Sequence, residues 1–221
     1  MCVICDKTYN KDTTKISACF NVKEIPYIEN LKILDCDDSN VKHLISLPKL
    51  EYLYCDYTKI TEVPFFPKLK ELTISHTNVI KIPYMKTLIL LDISYTKITE
   101  VYILPNLDTL DCSFTNIKYI PKLPKLKELE CSYTNITHIP YYPNLEYLDC
   151  TNTLITELPK TNIMKHCVVY IENCKWLAPK KEILDKIVKI QNAIRIYIKK
   201  RNKIIIKCFN HHDLLHILAH T

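Results

Sequence analysis

Glycine is missing altogether from the 221 residues, and that absence removes whole classes of chemistry. A phosphate-cradling P-loop, a dinucleotide-binding fingerprint and the G-x-S-x-G elbow of a hydrolase all need backbone that a Cβ would block. Turns with positive φ must instead be made by Asn or Asp. Long apolar runs are also lacking. No window holds 18 consecutive apolar residues, so no transmembrane helix is expected. Residues 1–10 carry charge early and have no apolar centre, which argues against a secretory leader. The eleven cysteines are an odd number and cannot all pair within the chain. These features together predict an intracellular, reducing compartment.

The formal net charge of +6 is unevenly spread. Residues 1–163 carry 18 basic and 20 acidic side chains, whereas residues 164–221 carry 12 and 4. Two physically different segments are joined.

The first of them is periodic. Leu31, Leu50, Leu69, Leu88, Leu107, Leu126 and Leu145 recur every 19 residues without an insertion, and a fixed period of this length marks a repeat architecture. The unit reads L-x-x-L-x-C-x-x-T-x-I-x-x-I-P-x-x-P-x. Its fourth position is always Leu (Leu34 to Leu148), and its sixth is Cys36, Cys55, Ile74, Ile93, Cys112, Cys131 and Cys150. The ninth is Ser39 followed by six threonines, the eleventh is Val or Ile, and the fourteenth is Leu, Ile or Val. A degenerate unit precedes these through Ile16, Cys19, Val22 and Ile25.

The pattern resembles the leucine-rich-repeat family, whose core is L-x-x-L-x-L-x-x-N-x-L, over about residues 31–163. Thr stands here for the family's Asn at position nine, Cys often stands for Leu at position six, and the unit is short. The Leu129–Thr137 style of the unit, the wealth of Ile, Lys, Asn and Tyr, and the Cys174-x-Trp176-Leu177 closure are similar to leucine-rich-repeat proteins of mimivirus-type large DNA viruses. That second resemblance implies a viral protein in host cytoplasm.

Positions three to seven alternate outward and inward, the period of a half-buried strand, with Leu at four and the small apolar residue at six pointing inward. Successive units stack these strands about 4.8 Å apart in one parallel sheet, because no unit can bury its apolar side alone. Prolines at positions fifteen and eighteen rule out a regular helix on the return side. Extended, polyproline-like or 3₁₀ returns are expected, with residues such as Leu47, Phe66, Met85 and Tyr142 at position seventeen plugging the core. The Thr column either bonds to backbone of adjacent turns, as the family's Asn does, or simply suits strand-end geometry. Asn40, Asn78, Asn116 and Asn135 at position ten are the expected left-handed residues. The cysteine column is read as small buried packing. In-register Cβ atoms about 4.8 Å apart exceed the usual disulfide reach.

Outward positions of the strands define a candidate face, since the concave surface is the usual binding face of such solenoids. Position five supplies Tyr54, Asp92, Asp111, Glu130 and Asp149. Position eight supplies Tyr57, His76, Tyr95, Phe114 and Tyr133. Aromatics combine contact area with few rotatable bonds, and acids attract basic partners while disfavouring nucleic acid. The competing reading is that duplication copied these residues and they only solvate the sheet.

The chain therefore divides into an N-terminal cap with a degenerate repeat (1–30), seven repeats (31–163), a last strand with a C-terminal cap (164–178) and a basic amphipathic helical tail (179–221). In the tail, Ile183, Ile187, Ile190, Ile194 and Tyr197 share a helical face. Ile190, Gln191, Arg195 and Lys200 are similar to the start of an IQ motif, the calmodulin-type target helix. Together with Lys199 and Arg201 they offer contacts to a calmodulin-like protein, an anionic membrane or nucleic acid, unless the helix only packs on the solenoid end. His212, His216 and His220 would share one helical face. Cys2-x-x-Cys5 is half a zinc knuckle without a second spaced pair, so no metal site is assigned. No catalytic residue, cofactor or small-molecule substrate is expected. The functional expectation is a non-enzymatic adaptor or decoy that binds a basic or extended protein on the concave face. A tethering protein acting through its tail is the alternative, and the residues do not determine the oligomeric state.

Overall fold

The computed structural model describes residues 2–158 and 167–174. Nine short strands form one parallel sheet in chain order: β1 (Lys15–Ser17), β2 (Ile33–Asp35), β3 (Tyr52–Tyr54), β4 (Glu71–Thr73), β5 (Leu90–Asp92), β6 (Thr109–Asp111), β7 (Glu128–Glu130), β8 (Tyr147–Asp149) and β9 (Val168–Tyr170). From β2 to β8 the register steps by 19 residues, Leu34 against Leu53 against Leu72 and onward to Leu148. The unbroken period of the sequence is thus an unslipped register in space. No helix of the described residues is long and apolar enough to cross a membrane.

Each strand is only three residues long, positions three to five, with the middle residue buried in β1 to β8. This is shorter than the expected span from three to seven. Hydrogen bonding between coils nevertheless continues, because the position-six N–H still donates to the next coil (Cys36 to the Tyr54 carbonyl, 2.8 Å; Ile74 to that of Asp92, 3.0 Å). The core is the stack of buried residues at positions one, four, six, eleven, fourteen and seventeen. Phe66, Met85 and Tyr142 close it from the return side, as expected. Each fully buried Leu, Ile or Phe of this kind contributes about 1.5–3 kcal/mol relative to exposure.

The return segments contain neither strand nor helix among the described residues. Each closes through a turn in which the position-one N–H donates to the position-seventeen carbonyl, for example Leu50 to Leu47 and Leu126 to Leu123, both 3.2 Å. Proline at eighteen is then the second residue of the turn, where its fixed φ is already suitable.

Three local expectations are corrected. First, the left-handed residues lie at position eight, not ten. Asp38, Tyr57, His76, Tyr95, Phe114, Tyr133 and Asn152 have φ between 52° and 55°. The chain leaves each strand through a tight turn, and the position-eight N–H donates to the position-seven carbonyl of the next coil (Tyr57 to Ser75, 2.9 Å; Phe114 to Ser132, 2.9 Å). Position ten is not among the left-handed residues, and its N–H bonds backward, as Asn78 N–H does to the Ile60 carbonyl. Second, the threonines bond within their own coil. Thr58, Thr77, Thr96, Thr115, Thr134 and Thr153 each donate to the position-six carbonyl three residues earlier, at 2.6–2.7 Å. This satisfies a buried acceptor that leaves the ladder at the turn. Third, Cys36 and Cys55 form a disulfide, with Cα atoms 4.9 Å apart. That spacing lies inside the range a disulfide spans, so register neighbours in the column are close enough to bond. Cys112, Cys131 and Cys150 of the same column are free and buried.

Trp176, Leu177 and the tail, including Ile190, Gln191, Arg195, Lys199, Lys200, Arg201 and the histidines, lie outside the described residues.

Candidate functional site

The turn after each strand carries the first element of the site. From Tyr57 to Tyr133 the position-eight rings form one continuous stack. Tyr57 lies on His76, His76 on Tyr95, Tyr95 on Phe114 and Phe114 on Tyr133, with centroids 4.0–4.3 Å apart and planes within 12–15° of parallel. The coil spacing of the sheet brings rings at one position of successive coils to stacking distance. Such contacts are worth roughly 0.5–1.5 kcal/mol each, enough to offset much of the roughly 1–2 kcal/mol that a side chain with a Cβ costs in the left-handed region. The ladder ends where position eight changes to Asp38 on one side and Asn152 on the other.

The ring faces are thus largely occupied by other rings, and what solvent reaches is the edges and hydroxyls. The four Tyr and Phe rings remain 39–58% exposed. The sequence grouped this row with the outward strand residues. In the structure it forms a strip along the turns at the C-terminal ends of the strands.

The second element is on the strands themselves. Asp92, Asp111, Glu130 and Asp149 are direct register partners across β5 to β8. The aspartates also serve the turn, since each accepts from the backbone N–H two residues on (Ser94, Ser113 and Thr151, 2.8–2.9 Å). None of the four has an ion-pair partner among the described residues. Burial, then the neighbouring Asp111, Asp149 and Asp92 charges, push the Glu130 carboxyl up to about 7. Burial raises Asp111 as well, against the pull of the Ser113 N–H.

Tyr54, also at position five, is separate from this row. Its hydroxyl donates to Glu71 Oε2 at 2.7 Å. Asp56, which sequence reading passed over, is half-buried at position seven of the coil containing Tyr57. It accepts from the Ser75 N–H at 2.6 Å, and burial pushes it up to about 6.

Position two gives the contrast that makes the acid row informative. It reads Lys32, Glu51, Lys70, Ile89, Asp108, Lys127, Glu146, opposite signs at neighbouring coils on either side of the uncharged Ile89. Lys70 and Glu51, and Lys127 and Asp108, meet at 2.6 Å. Side chains directly opposite one another favour opposite charge and are destabilised by like charge. One column obeys that rule and the other places four acids in succession. The alternation was legible in the sequence once the register was known, but sequence reading missed it. Two shallow grooves, of about 470 and 570 Å³, run along this position-two edge among the described residues, lined by Lys49, Lys68, Lys125, Asn30 and Asn106 among others. They do not include the acid row or the ring stack.

Comparison with solved structures identifies the architecture. The functional domain of InlJ from Listeria monocytogenes superposes with a TM-score of 0.70 at 22% identity, covering 78% of this chain and 46% of its own. The fold is that of a leucine-rich-repeat solenoid. YopM of Yersinia pestis, a leucine-rich effector protein, gives 0.62 at 21% identity over 72% of this chain and 50% of its own. The leucine-rich-repeat part of FLRT2, solved in an octameric complex with Latrophilin 3 and Unc5D, gives 0.56 at 16% identity, covering 80% of this chain and 72% of its own. The chain thus spans about half the length of the first two. InlJ is described as including a cysteine ladder; this solenoid too aligns cysteines at one position of successive coils. No family model and no curated protein matches the chain.

Proposed function

We propose that this leucine-rich-repeat solenoid is a non-enzymatic protein-interaction module that binds a basic, extended partner segment along the acid row and the adjoining ring ladder. The observation that carries the proposal is the contrast between the two charged columns. A surface shaped only by stability would alternate signs at position five as it does at position two. Four in-register acids, one of them pushed up to about 7 by burial and its neighbours, are held against electrostatic preference, and a cationic partner would relieve that cost. The ring edges beside them add apolar contact at little entropic cost. Protein complexes formed by other repeat solenoids, such as FLRT2 with Latrophilin 3 and Unc5D, give the proposal a precedent in kind and do not name the partner. An intracellular adaptor or decoy role, and a viral origin, rest on the residues alone.

The test is capture from cell lysate at about 0.15 M salt, where exposed long-range charge is already screened, followed by titration of the captured protein. Asp111→Asn with Glu130→Gln should weaken binding about tenfold or more, equivalent to about 1.4 kcal/mol, as should Tyr95→Ala with Tyr133→Ala. Asn at 111 can still accept from the Ser113 N–H, so the turn is kept. Binding unchanged in both double variants would overturn the proposal, and binding lost only when the tail is removed would favour the tethering alternative.

A further inference from the structure

The N-terminal segment holds three thiols outside the cysteine column of the repeats, Cys2 and Cys5 ahead of the first strand and Cys19 in the degenerate first unit. Residues 2–8 form a compact turn closed by the Asp6 N–H on the Cys2 carbonyl (2.9 Å) and the Thr8 N–H on that of Val3 (3.1 Å), with Lys7 at φ 53°. Cys2 and Ile4 of this turn pack against the end of the core, beside Ala18 and Cys19 of the first coil. The turn therefore sits where a solenoid must cover its first coil. It brings the sulphurs of Cys2, Cys5 and Cys19 within 4.8 Å of one another, with Cys5 Sγ and Cys19 Sγ 3.5 Å apart. The first pair spans two intervening residues, and the third thiol arrives 14 residues later from just beyond β1.

We propose that Cys2, Cys5 and Cys19 form a three-thiolate site for a thiophilic d¹⁰ metal ion, Zn²⁺ or Cu⁺, which fastens the N-terminal turn to the first coil. Zn–S bonds of about 2.3 Å in tetrahedral geometry place sulphurs roughly 3.8 Å apart, within the spread found here. Soft thiolates select these ions over harder divalent cations. Packing alone does not account for the cluster, because Cys5 is exposed and hides no apolar surface. That exposure leaves a fourth tetrahedral position to water in the Zn²⁺ case. A Cu⁺ ion would be satisfied by the three sulphurs. The sequence supplied Cys2-x-x-Cys5 and lacked a second spaced pair. The third ligand is found only when the first coil folds back against the turn.

The experiment uses the full chain, reduced and handled without oxygen. It is titrated with Co²⁺ as a spectroscopic stand-in for Zn²⁺, with Zn²⁺ itself, and with Cu⁺, and stoichiometry is read by native mass spectrometry. The expected result is one ion per chain and a thiolate-to-cobalt charge-transfer band, with the preferred ion identified by competition. Cys5→Ser and Cys19→Ser should each lose stoichiometric binding. Cys112→Ser and His212→Ala, which change a buried core thiol and a tail imidazole, should keep it. Circular dichroism on each variant separates loss of the site from loss of the fold. Absence of stoichiometric uptake by the folded wild-type chain, retention of the ion by Cys19→Ser, or a Cys5–Cys19 disulfide that metal does not displace under reducing conditions would each overturn the assignment.

Discussion

Replacing Tyr95 at the centre of the ring ladder tests the physical account of position eight. Tyr95 stacks on both His76 and Phe114, at 4.0 and 4.1 Å. Alanine removes both contacts, at roughly 0.5–1.5 kcal/mol each, so Tyr95→Ala should cost about 1–3 kcal/mol. Alanine keeps a Cβ, so the left-handed backbone (φ 52°) remains as costly as before. Tyr95→Gly loses the same stacking but removes that penalty of roughly 1–2 kcal/mol. Glycine should therefore be the milder substitution by about 1 kcal/mol, the reverse of its usual order against alanine in regular structure. Urea unfolding of the three proteins measures this directly, provided the slope m is unchanged and only the midpoint moves. If alanine equals or exceeds glycine in stability, the strain argument is wrong. If alanine costs less than about 0.5 kcal/mol, the ladder contributes nothing appreciable and its rings need another explanation.

Three further outcomes follow from the same geometry. Thr115→Val keeps the side-chain shape but leaves the Cys112 carbonyl without the hydroxyl that donates to it at 2.6 Å. It should cost about 1–3 kcal/mol in thermal or urea unfolding, whereas Thr115→Ser should cost less than about 1. Phe66→Ala empties a fully buried site on the return side and should destabilise by about 3–5 kcal/mol; a loss below about 1 would mean that the returns are not packed as described. Glu130 is raised from 4.5 to about 7 in the fold. The folded chain then holds more protons than the unfolded one between those values, so this group's contribution makes stability fall as pH rises through that window. Glu130→Gln should flatten that part of the profile of melting temperature against pH, raising stability at pH 8 relative to wild type and changing it little near pH 4.

Much of the solenoid was legible because its information is periodic. The Leu34-to-Leu148 column specifies both which residue of each unit points inward and which residues face one another in neighbouring coils, since a 19-residue step without insertions allows one register. Prolines at fifteen and eighteen excluded helical returns by φ and by the missing N–H. The candidate rows were legible as columns, Asp92 to Asp149 and Tyr57 to Tyr133. The opposite-sign column from Lys32 to Glu146 was equally available, and went unread because it matters only once register makes its members neighbours.

What the amino-acid order determined alone was therefore the period, the inward columns and the absence of every glycine-dependent site. Tertiary structure decided where the backbone turns left-handed. That choice depends on the position-eight N–H reaching a carbonyl of the next coil, a contact between residues 18 apart in the chain. It also turned a list of aromatic residues into a stack with its faces occupied, joined Cys36 to Cys55, and brought Cys19 to Cys2 and Cys5. Each of these depends on separation across coils or on an irregular turn, and a one-dimensional pattern carries the neighbours of a residue only where the chain repeats.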